Sequence, residues 1–344
     1  MAGCASLGYY AQAVSGHMDL MRARQPIDEL VAADDTPPAL KDRLKAVRVA
    51  RSFAVTELAL PDNGSYRTYV SLDRPAVVWN VFAAPEFSLE PKQWCFPVAG
   101  CVVYRGYFSL EEAREYAAGL AEDGYDTWVG GAAAYSTLGR FEDPVLSTML
   151  VWDDARLAGI LFHELAHQRL YLKDDSAFNE AFASAVEEEG VRRWLESQDM
   201  ENELAAWRRM RDRTIAFERL LERTTARLQE VYRSGESPDV MRAQKAAAFE
   251  ALRSDYEALR AEWGGWAEYD TWFQGPLNNA RLVLSATYRQ LVPAFRVLLH
   301  SSGGDLEAFY RRAEALAELP LPEREAKLGE LLASVGSDPS AGAR

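Results

Sequence analysis

Strand-like sequence in this chain is confined to an early stretch. The runs "YRTYVSL", "AVVWNVFAA", "GCVVYRGYF" and "YDTWVGGAAAYS", all between residues 65 and 136, are rich in β-branched and aromatic residues and are separated by Pro and Gly. From residue 153 onward nearly all of the chain carries helical periodicity. Sheet first and helices second predicts an α+β fold: an N-terminal mixed sheet with helices, then a predominantly helical C-terminal part. With 344 residues, 48% of them hydrophobic, the chain can bury the core of one large domain or of two fused lobes.

Local signals divide it further. Residues 1–60 read as a helical segment, with Thr36 and Pro37 as the cap and first-turn pair of a helix that repeats Leu40, Leu44, Val47 and Ala50 on one face. Residues 61–150 form the β-rich region. They include one helix, with Ser109 as N-cap and Gly124 as its stop. Residues 151–197 hold two helices, over 153–172 and 176–196. In the helical region 198–325, the stretches 200–233 and 238–262 read as a long antiparallel hairpin joined by "SGESP", followed by helices over 278–300 and 304–317. Trp263, Trp266 and Trp272 are expected to pack that hairpin against the core. Residues 326–344 are the C-terminal end, with "SVGSDPSAGAR" expected as a disordered tail.

Chemistry concentrates in "ILFHELAHQRLYLKDDSAFNEAFASAVEEE", residues 160–189. On a helix, His163 and His167 stand one turn apart on one face, so both imidazoles reach one ion. Glu164 is rotated about 100° from His163 and suits a general base beside that ion better than a ligand. The chain has four histidines; the other two, His17 and His300, are remote in sequence. The short link "LYLKDDSA" turns a second helix back beside the first, capped by Asp175 or Ser176. Glu180, thirteen residues after His167, then faces the histidine pair. Asp174 and Asp175 compete as ligands but read as turn and cap residues; Glu187, Glu188 and Glu189 read as a solvated face. The expected cofactor is one Zn²⁺ per chain, held by His163, His167 and Glu180.

"HELAH" followed by "NEAFA" resembles the gluzincin metallopeptidases, and the spacing to the glutamate is shorter than in the best-known of them. Over nearly the whole chain, "GCASLGYYAQAVSGH", "FPVAGCVVYRGYF", "GYDTWVGGAAAYSTLGRFEDPVLSTML", "LFHELAHQRLY" and "ATYRQLVPAF" resemble a bacterial group classed by similarity as aminopeptidases, first described as a domain of unknown function. The resemblance implies a zincin-like fold and a zinc-dependent peptidase that hydrolyses peptides by zinc-activated water. The metal roles fall on His163, His167 and Glu180, and the base role on Glu164. It also implies an oxyanion-stabilising side chain from a later helix, for which Tyr288 is the first candidate and Tyr135 its rival. The strand before the metal helix would bind substrate, with Gly130 and Gly131 either admitting a peptide backbone or forming a bulge. Two other readings stay open: an endopeptidase of the same type, and a non-catalytic envelope protein that keeps the zinc.

Charge and cysteines bear on partners. A net charge of −14 argues against nucleic acid and against binding anionic lipid by charge alone. No run of about 18 apolar residues is present to cross a membrane. Cys95 and Cys101 in "WCFPVAGC" are close enough to bridge across a turn, and Cys4 in "MAGCASLG" resembles the lipidated cysteine of a bacterial lipoprotein, without the charged and apolar regions of its signal. One anchor plus one disulfide predicts a protein of the cell envelope or periplasm, attached to the membrane through Cys4 and acting on peptides.

Overall fold

The computed structural model describes residues 2–96, 100–283 and 291–335. The 336–344 part of the expected tail lies outside the described residues, as do the turn residues 97–99. The N-terminal part is mixed α/β. Its helices are α1 (Ala2–Arg22), α2 (Ile27–Ala32), α3 (Pro38–Thr56) and α4 (Leu110–Glu122). Its strands are β1 (Gln25–Pro26), β2 (Thr68–Val70), β3 (Val78–Pro85), β4 (Trp94–Phe96), β5 (Gly100–Val102), β6 (Arg105–Tyr107), β7 (Tyr125–Ala132) and β8 (Val145–Leu146). They form three small sheets in the orders β1-β2-β8, β6-β3-β7 and β4-β5. β1 runs antiparallel to β2, and β2 parallel to β8. The C-terminal part is largely helical: α5 (Asp154–Arg169), α6 (Ser176–Ser197), α7 (Glu201–Arg233), α8 (Pro238–Glu262), α9 (Val292–His300), α10 (Leu306–Ala317) and α11 (Leu321–Val335).

Several local expectations meet their residues. Ser109 Oγ accepts from the Glu112 N–H at the start of α4, and Gly124 ends that helix at φ +85°. Asp175 accepts from the Phe178 N–H and caps α6. The cap of α3 differs by one residue: Pro37 is the N-cap and Pro38 opens the helix, with no side-chain cap. Proline is favoured at that first position because its missing N–H would have no helical partner there, so Thr36 stands one residue too early. Of the helix expected over 278–300, residues 279–283 and α9 are helical, and 284–290 lie outside the described residues.

The chain forms two compact units, Met1–Trp79 with Gly131–Leu204 and Gln290–Arg344, and Asn80–Gly130 with Ala205–Arg289. In the first, α6 packs against α5 and α9, and α3 packs against α5. Phe162, Phe178, Phe182, Phe295 and Phe309 are fully buried there, with Phe182 stacked on Phe309 at 5.7 Å. Each such ring stabilises the fold by about 1.5–3 kcal/mol. Glycine sets how closely α5 and α6 approach: a Cβ on Gly190 would lie 2.7 Å from Phe162 and Leu58. In the second unit, Phe217, Leu220, Leu221 and Leu228 of α7 share a core with Phe249, Leu252 and Tyr256 of α8. Trp263 and Trp272 pack against that core, and Trp266 meets Trp263 edge-on.

Candidate metal centre

α5 and α6 carry the site, and their ends are held independently of it. Asp153 caps α5 through the Arg156 N–H. The link between the helices is closed by Asn179, 2% exposed, whose side chain accepts from the Leu172 N–H and donates to the Leu172 carbonyl, both at 2.7 Å. Asp175 also accepts two bonds from the Arg324 guanidinium of α11 at 2.9 and 3.1 Å. These contacts commit Asp175 to the fold and fix the first turn of α6, immediately before Glu180.

The structure brings His163, His167 and Glu180 together. The two Nε2 atoms are 3.1 Å apart. Glu180 Oε2 lies 3.4 Å from His163 Nε2, and its Oε1 lies 3.8 Å from His167 Nε2. Among the described residues these three offer one ligand atom each within 4.8 Å of one another. His17 and His300 are elsewhere: His17 packs on Phe141, and His300 ends α9.

Two nitrogens and a carboxylate aimed at one point suit a divalent cation, since like lone pairs converging at 3.1 Å need a proton or a metal between them. Without a metal the burden falls on a proton. Burial opposes a charged His163, but the carboxylates of Glu180 and Glu187 more than offset it and hold His163 well above the ordinary histidine range. Burial lowers His167 to about 4, with the His163 charge adding to that and the carboxylates opposing. Burial works to raise Glu180, yet its bond to His163 and the charges of both histidines bring it below the ordinary carboxylate range.

One functional contact is a correction to the sequence reading. Glu187 does more than face solvent: its side chain is 40% exposed, yet its Oε2 lies 3.0 Å from His163 Nδ1. That contact assigns the Nδ1 proton as the donor and leaves Nε2 to face Glu180, the outer arrangement that orients histidine ligands. Glu188 and Glu189 are likewise paired, with Arg296 at 2.6 and 2.7 Å and with Arg192 and Arg193 at 2.6 Å. The available signal was the spacing of Glu187 from Glu180, seven residues or two turns, which returns it to the same helix face. By contrast, His167 Nδ1 is buried without a partner.

Glu164 is half-buried beside this cluster and outside the three-residue group. Burial raises its carboxyl to about 7; the His163 charge opposes the rise, Glu180 and Asp143 add to it, and Ser136 stabilises the ionised form. A carboxyl near neutrality can both take and return a proton.

The remaining candidates separate. Tyr288 lies outside the described residues. Tyr135 places its hydroxyl 3.3 Å from His17 Nδ1, and burial with the Asp143 charge pushes it up to about 12. Those partners belong to α1 and to the segment before α5, not to the histidine pair. Gly130 and Gly131 leave room that the chain itself fills: a Cβ would meet Trp128 at 2.4 Å and Ala76 at 2.8 Å respectively. Close packing by the chain's own side chains therefore accounts for both glycines. Asn278 caps the helical turn at 279–283 by accepting from the Arg281 N–H, and buried Asn279 bonds Tyr232 and three backbone carbonyls.

A buried His/His/Glu cluster able to bind a metal, carried on two packed helices, thus defines the site. Residues 8–328 match the family described as "Putative aminopeptidase", and the chain belongs to that family. No curated protein and no solved structure matches it.

Proposed function

We propose that this protein is a zinc-dependent metallopeptidase of the gluzincin type and, within that class, an aminopeptidase. The observation that carries the reading is the convergence of His163, His167 and Glu180 beside a carboxyl, Glu164, that is not needed as a ligand. The family match supports the reaction class. On this reading the fold is zincin-like, with α7 and α8 as an antiparallel hairpin.

His163, His167 and Glu180 would hold one Zn²⁺ per chain. Bound zinc supplies Lewis acidity, lowering the pKa of water and polarising a carbonyl. Glu164 accepts the proton of the attacking water and delivers it to the leaving amine. Glu187 keeps the His163 ring oriented through its Nδ1 proton. The disulfide between Cys95 and Cys101, a cross-strand pair of β4 and β5, supports an exported protein acting on peptides in the cell envelope or periplasm, anchored through a lipidated Cys4.

The test is Glu164→Gln, compared with wild type on a mixed peptide library with zinc measured on the same samples. The variant should keep its zinc and lose activity by about 10²–10⁴-fold, the usual contribution of a general base. Equal cleavage by both would exclude Glu164 as the base. A zinc-loaded wild type that cleaves nothing would favour a zinc-binding envelope protein. Internal cuts in N-blocked peptides would indicate an endopeptidase.

A further inference from the structure

The second compact unit holds a cleft of about 390 Å³ to which no residue of the metal centre contributes. Arg242, Lys245, Phe249 and Arg253 recur every three or four residues along α8 and line it from one helix face. Pro276 and Leu277, just beyond the helical turn Asp270–Phe273, complete an apolar part of the lining. A volume of this size suits a small molecule.

The cations of the lining differ in what neutralises them. Arg242 is paired with Glu86 at 2.6 and 3.1 Å, and Lys245 with Asp126 at 2.6 Å. Arg253 meets no carboxylate among the described residues; its one hydrogen bond goes to the Phe273 carbonyl at 3.1 Å. The next carbonyl along the chain, that of Gln274, accepts from Arg281 at 2.6 Å. Arg281 is 6% exposed and lies over the rings of Trp128 and Trp272. It too meets no carboxylate among the described residues, and its Nε has no partner. Two guanidinium groups are thus held by consecutive carbonyls, which carry only partial negative charge and leave the pair positive. Burial, with the Arg253 charge, brings Arg281 below the ordinary arginine range. The chain has 52 acidic residues against 38 basic ones, so a shortage of carboxylates does not explain the arrangement.

One negative charge of the cleft is unmatched as well. Glu250 lines it one turn before Arg253, is exposed, and has no ion pair or hydrogen bond among the described residues. Residues three apart on a helix stand about 5–6 Å apart at Cβ, close enough for both side chains to reach one molecule that carries both charges. A phosphate would satisfy Arg253 but would meet the Glu250 charge.

We propose that this cleft binds a free α-amino acid with an apolar side chain, as its zwitterion. Arg253 takes the carboxylate, Glu250 the ammonium group, and Phe249, Pro276 and Leu277 the side chain, while the Arg281 charge favours the anion. The proposal goes beyond the peptidase reading and stands whether or not the metal centre is catalytic.

The test is calorimetric titration of the full chain with L-leucine, 4-methylpentanoate, which lacks the ammonium group, 3-methylbutylamine, which lacks the carboxylate, and inorganic phosphate. Leucine should bind saturably, and the other three at least about tenfold more weakly. Arg253→Gln should weaken leucine and 4-methylpentanoate about tenfold to hundredfold, as for loss of a charged hydrogen-bond partner. Glu250→Gln should weaken leucine and leave 4-methylpentanoate unchanged. Glu250 has no partner to lose, so this variant decides the matter if Arg253→Gln melts lower than wild type. Unchanged leucine affinity in a folded variant of either residue overturns the proposal. So does a wild type that binds none of leucine, phenylalanine and methionine, and phosphate binding tighter than leucine would make the cleft an anion site instead.

Discussion

Asn179 links the fold to the metal centre most directly. It precedes Glu180, is almost fully buried, and ties the α5–α6 link by two bonds of 2.7 Å to the backbone of Leu172. Asn179→Ala leaves a backbone N–H and a carbonyl without these partners. Each loss in this part-buried link costs about 1–2 kcal/mol, so unfolding free energy should fall by about 2–4 kcal/mol. The local effect should exceed the global one in consequence. With the link loosened, the first turn of α6 no longer holds Glu180 against the histidines, and zinc affinity should fall by at least about tenfold. Urea denaturation of the metal-free protein measures the first quantity, and competition with a chelator of known affinity measures the second. An unfolding free energy within about 0.5 kcal/mol of wild type would refute the magnitude, placing the change among neutral surface substitutions. Unchanged zinc affinity in a destabilised variant would refute the coupling between the link and the cluster.

Three further outcomes are expected. Glu180→Gln and His163→Ala should lose zinc, whereas Glu187→Ala should retain it with about 10–100-fold weaker affinity, as measured by the same competition. On the proposed zinc reading the metal displaces the proton held on His163, so affinity should rise with pH until that histidine deprotonates, and calorimetry in buffers of different ionisation enthalpy should record proton release. Replacing Cys95 and Cys101 with serine should lower stability by about 2 kcal/mol, the expectation for so short a loop, and mass spectrometry of the unreduced wild type should find the pair linked. Free thiols in protein isolated from the envelope would count against the bridge.

Much of the architecture was legible along the chain because it is encoded locally. Helical periodicity and caps at Ser109 and Asp175 depend on neighbours three or four residues away, so α4, α5 and α6 could be placed from sequence. The same holds for His163 and His167: a helix alone puts both rings on one face. Glu180 required one more step, the reversal of the chain at "LYLKDDSA", which the turn residues signal. The role of Glu187 was written in its spacing from Glu180 but could not be separated from a solvated face, because a run of three glutamates reads alike whether it meets water, an arginine or a histidine. Only packing decided between them, giving Glu187 to His163, Glu188 to Arg296 and Glu189 to Arg192 and Arg193. Tyr66 was beyond sequence altogether. Its buried position depends on Asn63 and Ser65 meeting Gln168, more than a hundred residues later, and on a backbone conformation that nothing in "NGSYRT" announces. Local order follows from short-range sterics and hydrogen bonding, whereas the environment of a buried polar group is set by whichever distant segments close around it.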